Sequence, residues 1–97
     1  MMPGVKFDVG KPEYGLLPAM ALDQVVQVLT FGAQKYSADN WRLVPDANRR
    51  YFDAMQRHTW AWKRGETLDP ESGMPHLAHA VCCMMFLLEL ENESEKL

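Results

Sequence analysis

Residues 65–79 read GETLDPESGMPHLAH and lie between two segments whose apolar residues recur at helical spacing. No other part of the chain concentrates metal-ligand and proton-transfer side chains as closely, namely Glu66, Asp69, Glu71, His76 and His79. The residues that follow, up to Leu88, are almost wholly apolar, so we expect a buried helix there. We therefore interpret the rest of the chain as the frame that holds this loop and its helix.

The chain has 97 residues, which is enough for one domain (1–97) but not for two. Apolar residues make up 47% of the sequence, so we expect a globular fold and not a disordered chain. The net charge of −3 argues against a nucleic-acid polymer as partner, because such proteins usually carry a basic stripe. A domain of this size has a small core, which favours a homo-oligomer, either a dimer or a larger assembly.

Three features favour a cytoplasmic protein. The N-terminal sequence MMPGVKFDVGKP lacks an apolar run, so we expect no signal peptide. The longest apolar run, residues 78–88, has about eleven residues, whereas a membrane span takes about 20. Cys82 and Cys83 are neighbours on an apolar helix and are predicted to be buried, reduced thiols. We expect neither a membrane partner nor a disulfide.

The fold class predicted from these patterns is all-α. The predicted segments are helices at about 18–36, 47–64 and 74–91, an irregular N-terminal arm at 1–17 and a frayed tail at 92–97. Gly65 is expected to end the second helix, and Pro75 to lie in the first turn of the third. Since the third helix is apolar nearly all round, a second subunit is expected to cover part of it.

Three carboxylates of the central loop lie within six residues, and they are Glu66, Asp69 and Glu71. Mg²⁺ and Mn²⁺ prefer oxygen ligands, and such a cation neutralises phosphate charge and activates water. A divalent metal site at these residues is therefore one interpretation, and an ordinary solvated acidic loop is the other.

The histidines offer a second kind of chemistry. His76 and His79 are three residues apart on the predicted third helix, with Cys83 four residues further. With a loop carboxylate they make a feasible Zn²⁺ or Co²⁺ site, or they serve as general base or phosphate donor. The alternative is a pair of helix-start histidines without such a role. His58, on one face of the second helix, is either a core histidine or a ligand.

Two motifs outside the loop are candidates for substrate binding. In KFDVGKP (6–12), Lys6 and Lys11 flank an aspartate and a glycine, and such a loop can bring N–H and ammonium groups to an anion. A solvated arm is the alternative. Asn40 and Trp41 could hydrogen-bond to and stack on a base or sugar, or Trp41 could instead cap the helical core.

The chain resembles the phage dATP/dGTP diphosphohydrolase family (N-terminal-domain type), which is related to the MazG-like all-α nucleotide pyrophosphohydrolases. The motifs that carry the resemblance are KFDVGKP (6–12), LLP (16–18), VLTFGAQKY (28–36), NW (40–41), RH (57–58) and GETLDPESGMPHLAHA (65–80). The resemblance covers about residues 5–90. It implies cleavage of dATP or dGTP between the α and β phosphates, giving dNMP and pyrophosphate in phage nucleotide metabolism. It also implies a divalent metal and a MazG-like helical oligomer with sites between subunits.

One departure from the MazG-like pattern concerns the metal. MazG-like enzymes carry ExxE on one helix and ExxD on the next, whereas here Glu66-x-x-Asp69 matches only the second half. The remaining ligands are then expected from Glu71, Asp53 or the histidines.

The resulting hypothesis is a metal-dependent pyrophosphohydrolase of purine dNTPs. Its predicted catalytic residues are His76, His79 and Glu71, and its metal ligands Glu66, Asp69 and Glu71, with Mg²⁺ or Mn²⁺ as the cation and Co²⁺ or Zn²⁺ as alternatives. Its predicted substrate-binding residues are Lys6, Lys11, Lys35, Asn40, Trp41, Arg57 and His58. One rival hypothesis is a non-catalytic, sponge-type nucleotide-binding protein. The other is a His-Asp-type metal phosphohydrolase using His58, His76, His79 and Asp69.

Overall fold

The computed structural model describes residues 2–95 and contains three helices: α1 (Ala19–Lys35), α2 (Ala47–Lys63) and α3 (His76–Glu95). Two short 3₁₀ turns, Tyr14–Leu16 and Asn40–Leu43, precede α1 and α2. Within the described residues there is no strand, only one isolated bridge between Leu68 and Pro75. The all-α prediction is therefore confirmed.

The end of α2 follows from a glycine. Gly65 has φ +103°, a conformation that costs glycine little. The N–H of Glu66 donates to the carbonyl of Ala61 at 3.0 Å, and the N–H of Gly65 to that of Trp62 at 2.9 Å. This pair of bonds is the Schellman termination, so the predicted helix end at Gly65 is confirmed. It also fixes the position from which Glu66 begins the loop.

The loop between α2 and α3 folds back on the start of α3. The His76 N–H donates to the Thr67 carbonyl at 2.9 Å, and the Asp69 N–H to the Met74 carbonyl at 2.8 Å. Gly73, with φ +71°, makes the turn between these two bonds. Pro75 therefore belongs to the bridge, and α3 begins at His76, two residues later than the predicted start at 74.

The far end of α3 also differs from the prediction, because the helix continues to Glu95 where a frayed tail is expected. The amide of Asn92 donates to the Leu88 carbonyl at 3.0 Å, and Glu93 pairs with Arg42. These contacts hold the last turn in helical form. Residues 96 and 97, the remainder of the predicted tail, lie outside the described residues.

The small core lies where α3 packs on α1. It consists of Val25, Val28, Ala78 and Cys82, with Leu29, Met74 and Phe86 against it. The Cys82 thiol donates to the Val25 carbonyl at 3.5 Å, so the two helices approach closely. Burial raises the pKa of Cys82 to about 12 and that of Cys83 to about 11. Both are free thiols, as predicted, and are protonated at neutral pH.

Much apolar surface stays exposed in this single chain. The arm is irregular apart from its 3₁₀ turn, and it exposes Val5, Phe7 and Val9. On α3, four exposed side chains follow one another at spacings of four, three and four residues. We call this set the α3 strip; it comprises Leu77, Val81, Met84 and Leu88.

Among residues 2–95, the helices are either too short or too polar to cross a bilayer.

Candidate active site

Three histidines from two helices meet at one end of the molecule. The Nδ1 atoms of His58 on α2 and His76 on α3 lie 2.8 Å apart. The rings of His58 and His79 stack, with centroids 4.5 Å apart and an interplanar angle of 8°. Since Tyr51, earlier on α2, contacts Phe86, later on α3, the two helices run antiparallel. The cluster thus depends on the packing of α2 against α3.

Two loop carboxylates complete the cluster. His76 donates its Nε2–H to Glu66 Oε1 at 2.6 Å, and Asp69 Oδ2 lies 3.8 Å from His79 Nε2. One ligand atom each from His58, Asp69 and His76 lie within 4.8 Å of one another. These three residues are therefore able to hold a metal ion.

Ser72 connects Asp69 to His79. Its backbone N–H donates to Asp69 Oδ2 at 2.9 Å, and its Oγ lies 2.7 Å from His79 Nε2. The N–H of Met74 donates to the same Oγ at 3.1 Å. The Asp-x-x-Ser spacing of residues 69–72 is the sequence signal that could have revealed this bond.

Burial sets the charges in the cluster. It lowers the pKa of His58 to about 4, with a smaller effect from the neighbouring His79. It also lowers the pKa of His79, against the opposing effect of Asp69. For Asp69, burial raises the pKa, but the hydrogen bonds from Ser72 outweigh it and the net pKa is lowered. At neutral pH the imidazoles of His58 and His79 are thus neutral and the Asp69 carboxylate is ionised, the protonation states in which such groups bind metal.

A cleft of about 580 Å³ opens beside the cluster. Its polar end includes His58, Asp69 and His79, and its other end is aromatic. There Trp41 stacks on Phe86, with centroids 4.6 Å apart at 9°. One continuous cleft therefore joins the cluster to an aromatic wall.

Most of the predicted site residues line this cleft. Those that do are Lys35, Asn40, Trp41, Arg57, His58, Asp69, Glu71 and His79. Lys35 pairs with Glu71, and the hydrogen bond that Lys35 donates to this carboxylate raises the lysine's pKa. Phe86, Tyr51 and Tyr36 also line it, although the sequence analysis did not single them out for the site.

The structure does not bring every predicted residue to the cleft. Lys6 and Lys11 lie in the exposed arm and are not among the residues that line it. Glu66 and His76 lie beside the cleft, in contact with each other. Asp53, considered as a further ligand, lies 3.7 Å from Arg49 on the surface of α2.

Fold and cluster together define a class, an all-helical domain with a candidate metal centre of histidines and carboxylates in an aromatic-walled cleft. The family model described as "dATP/dGTP diphosphohydrolase, N-terminal" matches residues 1–97. The chain belongs to the N-terminal dATP/dGTP diphosphohydrolase family, as its motifs predicted.

A curated relative supports the same family. The chain is 36% identical over 91 residues to a dATP/dGTP diphosphohydrolase of Salmonella phage PMBT28. The match covers 94% of this chain and 31% of that protein, so the chain spans about a third of the relative's length. No solved structure gave a significant match.

Proposed function

We propose that this domain binds a purine dNTP, dGTP or dATP, in the cleft and hydrolyses it to dNMP and pyrophosphate in the cytoplasm of a phage-infected cell. The observation that carries the proposal is the cleft itself. Its volume of about 580 Å³ falls in the range of small-molecule sites, and it joins a histidine–carboxylate cluster to an aromatic wall. The family name and the name of the phage relative support this substrate class.

The aromatic end suits the base. A base stacked on an aromatic side chain gains about 1–3 kcal/mol, and Trp41 presents such a ring to the cleft. Phe86 packs on one face of this ring, and the Arg42 guanidinium covers the other, 4.3 Å from the Trp41 centroid, so a base that stacks on Trp41 takes the place of Arg42. Asn40, which also lines the cleft, supplies an amide for the base or sugar.

The polar end suits the phosphates. Lys35 and Arg57 line the cleft and offer positive charge near the cluster. We retain Lys6 and Lys11, which lie in the exposed arm, as proposed phosphate contacts. Glu71 holds Lys35 at the edge of the site.

The donor set fits a divalent cation, because two imidazole nitrogens and a carboxylate oxygen converge in the cluster. Asp69, His58 and His76 would hold the cation. The other two predicted carboxylates lie outside this group, because Glu71 is at the edge of the cleft and Glu66 contacts His76. When bound, a divalent cation neutralises phosphate charge and makes water more acidic.

His79 is the proposed general base. With its Nε2–H donated to Ser72 Oγ, its Nδ1 carries the lone pair that accepts a proton from the attacking water. Asp69 Oδ2, 3.8 Å from Nε2, stabilises the imidazolium that results. Water attacks the α phosphorus, and the α–β bridging oxygen leaves as part of pyrophosphate. The side chains of Lys35 and Arg57 stabilise the negative charge of the leaving pyrophosphate.

The test is product analysis with the untagged chain and each of the four dNTPs, with Mg²⁺, Mn²⁺ or Co²⁺ present. We expect dGTP or dATP to give dNMP and pyrophosphate faster than dCTP or dTTP does. Failure of both purine dNTPs with all three metals contradicts the proposal. Binding without turnover, measured by calorimetry, favours the non-catalytic hypothesis, which draws on the absence of glutamate from α1.

A second candidate is favoured by the grouping of His58, His76 and Asp69, the residue types of a His-Asp-type phosphohydrolase. The same chromatograms separate the two candidates. Release of deoxynucleoside and triphosphate, instead of dNMP and pyrophosphate, supports this second activity.

We also propose that a second copy of the chain covers the α3 strip. Spacings of four, three and four residues form a straight apolar seam, the pattern by which like helices pack on each other. Light scattering after size exclusion is expected to show a dimer or a larger oligomer. Val81→Glu with Leu88→Glu is expected to shift it to monomer, whereas Leu43→Glu, an exposed leucine off the strip, leaves it unchanged. A monomeric parent chain contradicts this proposal.

A further inference from the structure

We propose that Glu66 is not a metal ligand but a positioning residue, which aligns His76 in a site that His58, His76 and Asp69 form for a divalent transition metal in preference to Mg²⁺. This inference deepens the proposed function by naming the cation class and a role for Glu66. Its test is metal binding, which is measured independently of turnover.

The first step is the contact between Glu66 and His76. Glu66 Oε1 accepts from His76 Nε2 at 2.6 Å, and His76 is only 3% exposed. Two backbone hydrogen bonds fix the positions of Glu66 and His76. The Glu66 N–H donates to the Ala61 carbonyl, and the His76 N–H donates to the Thr67 carbonyl. A histidine that ligates a metal usually donates its other ring N–H to such a carboxylate. The arrangement therefore has the form of a metal-ligating histidine with its outer partner.

The second step concerns the other nitrogen of His76. In the neutral tautomer that donates its Nε2–H to Glu66, Nδ1 of His76 carries the lone pair. This atom lies 2.8 Å from His58 Nδ1, and two ring nitrogens so close need a proton or a cation between them. The carboxylate of Asp69 belongs to the same group of ligand atoms. His76 thus turns its ligating atom toward the other two residues.

The third step concerns distance. Metal–nitrogen and metal–oxygen bonds of about 2.0–2.2 Å place two ligands of one ion at most about 4.4 Å apart. The three ligand atoms lie within 4.8 Å of one another, so a shift of a few tenths of an ångström suffices. Oε1 of Glu66 accepts the hydrogen bond from His76, and Glu66 is not a member of this group of ligands.

The fourth step is the choice of ion. Two imidazole nitrogens and one carboxylate oxygen suit Zn²⁺, Co²⁺ and Fe²⁺ and tolerate Mn²⁺. Mg²⁺ prefers an all-oxygen octahedron and releases its waters reluctantly. The ligand set therefore discriminates against Mg²⁺, which would have been the natural expectation for the carboxylates alone.

In the experiment the untagged chain is titrated with Co²⁺ and, separately, with Mg²⁺. Binding is measured by calorimetry and, for Co²⁺, also by its visible absorption. We expect one Co²⁺ per chain and affinity for Mg²⁺ lower by about 100-fold or more. Glu66→Gln, whose amide oxygen still accepts from His76, is expected to weaken Co²⁺ binding by about 10–100-fold with the absorption bands unchanged. The matched control is Glu89→Gln, an exposed carboxylate of α3 that does not line the cleft, for which we expect less than about a threefold change.

The outcomes are distinct from those of the dNTP assay. Equal affinity for Mg²⁺ and Co²⁺, unaltered affinity in Glu66→Gln, or a shifted absorption spectrum in that variant overturns the proposal. Circular dichroism confirms that each variant is folded. If Co²⁺ binds as expected but no dNTP is hydrolysed, the proposed activity fails while this inference stands. If the chain hydrolyses dNTPs with Mg²⁺ but does not bind Co²⁺, the proposed activity stands and this inference about the metal site fails.

Discussion

Replacing Asp69 with asparagine is expected to lower purine dNTP hydrolysis by about 100-fold or more. The substitution removes the negative charge that faces both the ligand group and His79. Losing a ligand has a larger effect than the roughly 10–100-fold typical of outer-shell partners. The asparagine keeps an oxygen that accepts the Ser72 N–H, which is 2.9 Å away in the parent chain, so the loop is expected to keep its shape.

The measurement is kcat at saturating dNTP and cation, with a thermal melt of each protein to confirm folding. Asp53→Asn is the matched control, because Asp53 also carries a carboxylate but pairs with Arg49 on α2 and does not line the cleft. Its kcat is expected to change by less than about twofold, in line with the small effect of surface ion pairs. An Asp69→Asn variant that retains more than a third of the parent kcat rules out the role assigned to this carboxylate.

The helices follow from local information. Apolar residues at helical spacing predict α1 and α2 to within one residue at each end, and Gly65 predicts the end of α2. The limits of α3 are harder to predict, because its start depends on the bridge between Leu68 and Pro75 and its end on the ion pair of Glu93 with Arg42. Both are tertiary contacts that no local pattern contains.

The candidate site shows a similar division. The residue types in the loop and His58 are evident in the sequence, but their partners depend on how the loop folds back. Thus Glu66 meets His76 ten residues later, and Glu71 meets Lys35 from α1. The arm shows the opposite case, since its lysines suggest an anion site but its irregular backbone does not specify where they lie. Each of these pairings is set by tertiary packing.

The aromatic wall could not be derived from composition either. Phe86 is one of many apolar residues on α3, and nothing in the sequence distinguishes it from Leu87 or Leu88. The antiparallel packing of α2 and α3 brings it between Trp41 and Tyr51. Phe86 therefore packs against the core and also lines the cleft.

Shortening Phe86 to alanine is accordingly expected to lower the free energy of unfolding by about 2–3 kcal/mol, less than the usual cost for a fully buried phenylalanine because Phe86 is partly buried. The loss includes the stack on Trp41 and the edge contact with Tyr51, whose centroid is 5.2 Å away. For a domain of this size, each kcal/mol corresponds to about 4–8 °C in Tm. We therefore expect Tm to fall by about 10 °C or more, as measured by circular dichroism, with a matching loss of stability in urea titrations.

Phe52→Ala separates this effect from the general cost of losing a ring. Phe52 is also on the α2–α3 side of the molecule but is 50% exposed, so less than about 1.5 kcal/mol is expected. Phe86→Leu keeps most of the buried volume and is expected to recover at least half of the lost stability. Since Trp41 loses its stacking partner in both Phe86 variants, KM for a purine dNTP should rise in both, whereas kcat depends on the histidine cluster and changes less. Equal destabilisation by Phe52→Ala and Phe86→Ala contradicts the view that the Trp41–Phe86 wall ties the core to the cleft.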